Sequence, residues 1–251
     1  MAKVLTSLEG NVFIVQINRP EVKNAIDAPT AQLLFEAFSF FNSESELSVA
    51  VLTGSDDVFC AGADLKSLAS NSENIPSLTL EGNAPLGISR MQLDKPVIAA
   101  VEGHAVAGGL ELALWCDMRV AAEDAIFGVY CRRFGVPLVD GGTIRLPRII
   151  GHGRAMDMIL TGRGVQSEEA LQIGLVNRVV AKGHALSSAI ELAKSLSLLP
   201  QNCMRSDRLS ALEQWDLDIN KALFNESKRG LDVINSGETR EGAIRFTKRE
   251  F

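Results

Sequence analysis

Residues 95–116 read KPVIAAVEGHAVAGGLELALWC, and this stretch narrows the folds open to the chain more than any other. Pro96 to Val101 is an unbroken apolar run between Lys95 and Glu102. A short run without polar alternation fits a central strand covered on both faces, as in a parallel sheet. Gly103 to Gly109 holds three glycines and predicts a tight strand-to-helix turn. A helix from Gly109 through Leu110, Leu112, Ala113, Leu114 and Trp115 follows, with Glu111 in its first turn. Glycines let another molecule approach the backbone closely, and the first N–H groups of a helix have no partner inside it. Such a turn suits an oxyanion or a phosphate. The same glycines also serve a plain connection; Glu111, an acid flanked by leucines, tips the reading toward a site.

The order strand, glycine turn, helix occurs twice. Ser48 to Thr53 (SVAVLT) predicts a second buried strand, followed by Gly54 and the segment DVFCAGADLKSL, with Asp64 as a helix cap. Two such turns can supply two backbone donors to one oxygen. Upstream, Val4–Thr6 and Val12–Ile17 predict a hairpin, and Asp27 with Pro29 starts a helix whose apolar face is Leu33, Leu34, Ala37, Phe38 and Phe41. Residues 70–85 are polar and predict a surface loop or a lid. Met118–Ala122 and Ala125–Phe127 read as short strands. Gly141 and Gly142 open a helix carrying Ile144, Leu146, Ile149 and Ile150, with Asp140 just ahead as a cap or a second acid. A helix is expected over Ala155–Leu160, another capped by Ser167, a strand over Val176–Val180 and a long helix from about His184 to Leu199. After Pro200 the chain is charged amphipathic helix, which suggests docking on a neighbouring subunit. This alternation favours an α/β core with parallel pairing.

With 46% hydrophobic and 22% charged residues, the composition is that of a soluble globular protein. No apolar run reaches the roughly 18 residues of a membrane span, and the N-terminus lacks the apolar core of a signal peptide. A cytoplasmic protein without a membrane partner is expected. Cys60, Cys116, Cys131 and Cys203 form no CxxC pair, and His104, His152 and His184 show no ligand spacing, so no metal is predicted. The net charge of −6 argues against nucleic acid as a partner.

In order along nearly the whole chain stand NRPEVKNAID, FCAGADL, KPVIAAVEGHAVAGGLELALWCD, GGTIRLPRIIG, LTGRGVQSEEALQIGLVNRVV and REGAIRFTKREF. By these motifs the chain resembles the crotonase, or enoyl-CoA hydratase/isomerase, superfamily. The resemblance implies an α/β, crotonase-like spiral of ββα units over residues 1–195 and a C-terminal helical trimerisation region over 196–251, with trimers often pairing into hexamers. It implies an acyl-CoA substrate and no separate cofactor, coenzyme A being part of the substrate. It also implies an oxyanion hole from the backbone N–H groups of Ala63 and Gly108. Glu111 matches the first of the two hydratase glutamates. The second position falls on Cys131, and a thiol is a poor substitute for a carboxylic acid.

Asp140 then offers the missing acid, with Glu111 and Asp140 together facing the acyl carbons. Expected substrate and CoA contacts are Arg19 or Lys23, Lys248, and Ala61, Asp64 and Leu65 along the adenine and pantetheine. His104 reads as a pocket residue or an ordinary loop histidine. Arg132 and Arg133 read as an anchor for an acidic acyl group or a solvated pair. The leading function is an enoyl-CoA hydratase-like enzyme stabilising a thioester enolate. Isomerase, decarboxylase and thioester hydrolase chemistry stay open, as does a non-catalytic acyl-CoA-binding oligomer.

Overall fold

The computed structural model describes residues 2–70, 76 and 78–249. Strands β1 (Val4–Glu9) and β2 (Val12–Ile17) form the expected hairpin. Helix α1 (Ala28–Ser43) follows, with Asp27 Oδ1 accepting from Thr30 N at 3.0 Å. Of its expected apolar face, Leu34, Phe38 and Phe41 are buried, whereas Leu33 is exposed. Then come β3 (Val49–Gly54), α2 (Leu65–Ala69), β4 (Val97–Val101), β5 (His104–Val106) and α3 (Gly108–Trp115). Strands β6 (Met118–Ala122) and β7 (Ile126–Gly128) lead into a 3₁₀ turn at Tyr130–Phe134. Helices α4 (Gly142–Ile150) and α5 (His152–Thr161), strand β8 (Gly164–Gln166), helix α6 (Ser167–Gln172), strand β9 (Arg178–Val180) and helix α7 (Ala185–Ser197) complete the core. Helices α8 (Gln201–Glu213), α9 (Ile219–Asn235) and α10 (Glu238–Lys248) form the C-terminal region. The boundary expected at 195/196 falls in the last turn of α7.

The strands fall into two sheets. One has the order β1-β2-β3-β4-β6-β9, the other β5-β7-β8, so the pairs β4/β5 and β6/β7 each give one strand to each sheet. From β2 to β9 the larger sheet is parallel. Both its faces are covered, which is why its strands lack polar alternation. Val49, Val51, Ile98, Ala100 and Val120 pack under α7 on one face. Ala50, Leu52, Ala99 and Val101 share the other with Leu34, Phe38 and Leu112.

Three local expectations change. The segment 103–109 is more than a turn, because β5 lies inside it and pairs with β7. Ser167 is not a cap: its hydroxyl donates to Ala122 and Ala125 carbonyls, tying α6 to the β6–β7 corner. Ile144 points outward and only Leu146 and Ile150 of the α4 face are fully buried. Of the 70–85 loop, residues 71–75 and 77 lie outside the described residues.

Candidate active site

The two glycine turns meet. Cys60 N donates to His104 O, and Val106 N to Cys60 O, which lays the 59–64 segment along β5. Ile26 N donates to Gly62 O at 2.8 Å and Asp64 N to Ile26 O at 2.9 Å. Because backbone groups alternate along an extended segment, the N–H of Ala63 faces the opposite way, toward α3. Close approach there requires glycine. A methyl group on Gly109 would stand 2.0 Å from Cys60 O, and one on Gly62, whose φ is +92°, would stand 2.6 Å from Gly108 N. One on Gly108 would lie 3.5 Å from Ala63 N. The amides of Ala63 and Gly108 thus border one small space. Neither donates a hydrogen bond among the described residues. Ala107, with φ 54° and ψ −124°, holds a conformation that side-chain-bearing residues rarely adopt. That turn carries the chain from β5 into α3 and presents the first N–H groups of the helix.

One turn further along α3, Glu111 is 2% exposed. Its Oε1 accepts from Asp140 N at 2.9 Å and Gly142 N at 2.8 Å, the opening of α4. Burial pushes the Glu111 carboxyl up to about 7; the Gly142 and Asp140 N–H groups oppose that shift, and the Asp140 charge adds to it. Asp140, 4% exposed, accepts on Oδ1 from Leu86 N at 3.1 Å and Ser89 Oγ at 2.5 Å. Burial raises its pKa as well, against the Ser89 and Leu86 hydrogen bonds and the charges of Arg90 and Arg145. Burial thus makes both carboxyls hold a proton more readily than exposed ones would. Asp140 is therefore not the cap of α4, since its side chain turns away to the 86–89 segment.

Cys131, in the 3₁₀ turn, is buried, and burial together with the Glu111 charge pushes its thiol up, so it stays protonated. The arrangement brings together Ala63, Gly108, Glu111, Asp140 and Cys131. Other expected contacts are assigned differently. Arg19 is not a surface phosphate ligand: its buried guanidinium pairs with Asp64 Oδ2 at 3.0 Å and Asp27 Oδ2 at 3.1 Å and donates to Ala25 O. Asp64 is occupied in the same way, its other oxygen accepting from Lys66 N and Ser67 N at the start of α2. Lys23 is exposed and its carbonyl accepts from Ala61 N; Leu65 is exposed nearby in sequence. His104 is exposed on β5, opposite in direction to the buried Ala105, and Lys248 is exposed at the end of α10. Arg132 and Arg133 donate to the carbonyls of Ile159 and Gly162, and Arg133 also lies over the Tyr130 ring. Both side chains remain exposed while making these contacts. Among the described residues no His, Cys, Asp and Glu group could hold a metal.

Sequence reasoning missed Ser89, Leu86 and Arg145. Ser89 lies 51 residues from its partner Asp140 and nothing in its neighbourhood marks it. A cavity of about 780 Å³ lies behind this site, between Trp115, Arg145 and Arg148 on one side and Arg208, Leu212 and Trp215 on the other.

A spiral of paired strands with two facing glycine turns and a buried acid at the helix start defines a crotonase-like acyl-CoA enzyme. Residues 7–251 match the family model for enoyl-CoA hydratase/isomerase. Enoyl-CoA hydratase EchA19 of Mycobacterium tuberculosis is 32% identical over 98% of this chain and 93% of that protein. A carnitinyl-CoA dehydratase of Salmonella enteritidis is 41% identical over 74% of this chain and 71% of its own. The crystal structure of an enoyl-CoA hydratase from Mycobacterium tuberculosis H37Rv superposes with a TM-score of 0.93 at 37% identity, covering 99% of this chain and 96% of that one. The chain belongs to the enoyl-CoA hydratase/isomerase family, and within it is an enoyl-CoA hydratase-like enzyme.

Proposed function

We propose that the chain adds water to the double bond of an enoyl-CoA thioester, or removes it from the 3-hydroxyacyl-CoA, with Glu111 and Asp140 as the acid–base pair. The observation that carries this reading is the placing of two buried acids on adjoining segments: the backbone N–H of Asp140 holds Glu111 Oε1, and both side chains are buried. In hydration, the carboxylate member of the pair takes a proton from water as the water oxygen bonds to C3. The C2–C3 π electrons move toward the thioester, and negative charge gathers on its oxygen between Ala63 N–H and Gly108 N–H. The protonated member then gives its proton to C2. Each preorganised N–H of this kind is worth about 2.7–4 kcal/mol, and a placed acid or base about 10²–10⁴ in rate. Both donors to Asp140 land on Oδ1, which leaves Oδ2 for the substrate. Cys131 contributes a small protonated wall in place of a second glutamate.

Exposed Lys23, with Ala61 and Leu65, is read as the border of the bound CoA, and Lys248 as a phosphate contact supplied across a subunit boundary. The apolar residues exposed on α9 are read as contacts between copies in a trimer or hexamer. Four free cysteines suit the reducing cytoplasm. Kinetics with crotonyl-CoA test the acid pair: Glu111→Gln and Asp140→Asn are each expected to lower kcat by at least about 10²-fold. Full activity in either variant removes that residue from the mechanism.

A further inference from the structure

Asp140 is carried by one loop and held by a second, and a single guanidinium ties those two loops together. Arg145, on the second turn of α4, donates from Nη1 to Asp140 O at 3.0 Å and from Nη2 to Ser89 O at 2.6 Å. Ser89 and Leu86 in turn donate to the Asp140 carboxyl. Asp140 N and Gly142 N hold Glu111. The connections therefore close a circuit from the 86–89 segment through Asp140 to α3, with Arg145 bridging both loops at its base.

We propose that Arg145 is a positioning residue of the reaction, a clamp that fixes the loop bearing Asp140 against the loop bearing Ser89 and so sets how the two carboxyls face the substrate. The inference rests on the acid-pair reading above.

Three observations carry it. The first is that both hydrogen bonds go to carbonyl oxygens of loop residues rather than to an acid, a use that suits the planar fork of arginine and not the point charge of lysine. The second is Gly141: a methyl group there would stand 2.2 Å from Arg145 Nη1, and the residue has φ +96°, so the loop is shaped around the guanidinium. The third is burial, which lowers the Arg145 pKa and makes the position a costly place for a cation. The neighbouring Glu111 and Asp140 charges offset that cost.

The test compares Arg145→Ala, Arg145→Lys, Asp140→Asn and the combined Arg145→Ala/Asp140→Asn protein with the parent, using crotonyl-CoA. A clamp predicts that Arg145→Ala lowers kcat by about 10²-fold while KM stays within about threefold. Arg145→Lys recovers only part of the loss, because it cannot reach both carbonyls at once. Guanidinium ion at millimolar concentration restores turnover to Arg145→Ala, with the cavity behind Arg145 as its route. In the Asp140→Asn background, Arg145→Ala adds little, since the group it positions is already disabled. The pH–rate profile of Arg145→Ala moves upward, because a positive charge facing the pair is lost; Arg90, Cys131 and the Ser89 hydroxyl are the other groups facing it.

An unchanged kcat in Arg145→Ala overturns the clamp. So does a loss that adds in full to that of Asp140→Asn, resists guanidinium and tracks a fall in melting temperature. Should Arg145→Ala not fold, an Arg145→Lys protein with parental kcat and pH profile overturns it equally. Full activity in Asp140→Asn with a loss in Arg145→Ala is a different failure: the acid-pair reading falls and takes the clamp with it.

Discussion

Glu111 is held where its charged form is disfavoured, and that has a cost in stability. Its carboxyl titrates at about 7 rather than its ordinary 4.5. Between those values the folded chain keeps a proton that the unfolded chain has released, so stability falls as pH rises through the window. Above pH 7 the loss reaches about 3 kcal/mol. Glu111→Gln keeps an oxygen for the Asp140 and Gly142 N–H groups and removes the charge. In urea unfolding the variant is expected to exceed the parent at about pH 8 by about 1–3 kcal/mol and to match it near pH 4.5. Equal stability at both pH values would show that the site does not strain the charged carboxyl. A gain of stability with a loss of turnover is the expected signature of a group placed for chemistry.

At the scale of elements, the start of α3 owes its position to missing side chains. Gly109 lies against Cys60 O and Gly62 against Gly108 N, so the two N–H groups that border one space stay together only while these contacts remain bare. Gly109→Ala is expected to push α3 away from the 59–64 turn and lower kcat/KM by about 10²-fold or more. Gly153, in the first turn of α5, has nothing within 4 Å of the corresponding position. Gly153→Ala is expected to leave kcat/KM unchanged and to stabilise by about 0.5 kcal/mol. Equal kinetic effects from the two substitutions would refute the packing argument.

The glycine turns and buried strands were legible because their signals are local: VIAAV and SVAVLT lack polar alternation, and Asp27 announces its helix. The partners of the site were not legible in the same way. Arg19 reads as a surface cation until Asp27 and Asp64 are seen around it. Ser89 reads as a loop residue until the fold brings it to Asp140. Three-residue strands such as β5 and β8 exist through pairing with β7, and their own sequences are too short to declare them.

For the whole molecule, the C-terminal helices raise the question of what covers them. Ile219, Leu223, Phe224, Leu231 and Ile234 of α9 are all exposed, and Val233 is the single buried hydrophobic residue of α8–α10 among the described residues. Several large apolar residues exposed on one helix mark an interaction face. The full chain is expected to sediment as a trimer or a multiple of it, and Phe224→Glu combined with Leu231→Glu to give a smaller species. A monomeric parent would contradict that assembly. The claim on which everything else depends is the reaction itself, in which two N–H donors and a carboxyl pair move one water. It is tested most directly by incubating the protein with crotonyl-CoA in ¹⁸O-labelled water and weighing the product. The expected product is an intact thioester heavier by one labelled water, lost when Glu111 is replaced by Gln. Release of free CoA, or an ester of unchanged mass, would contradict it.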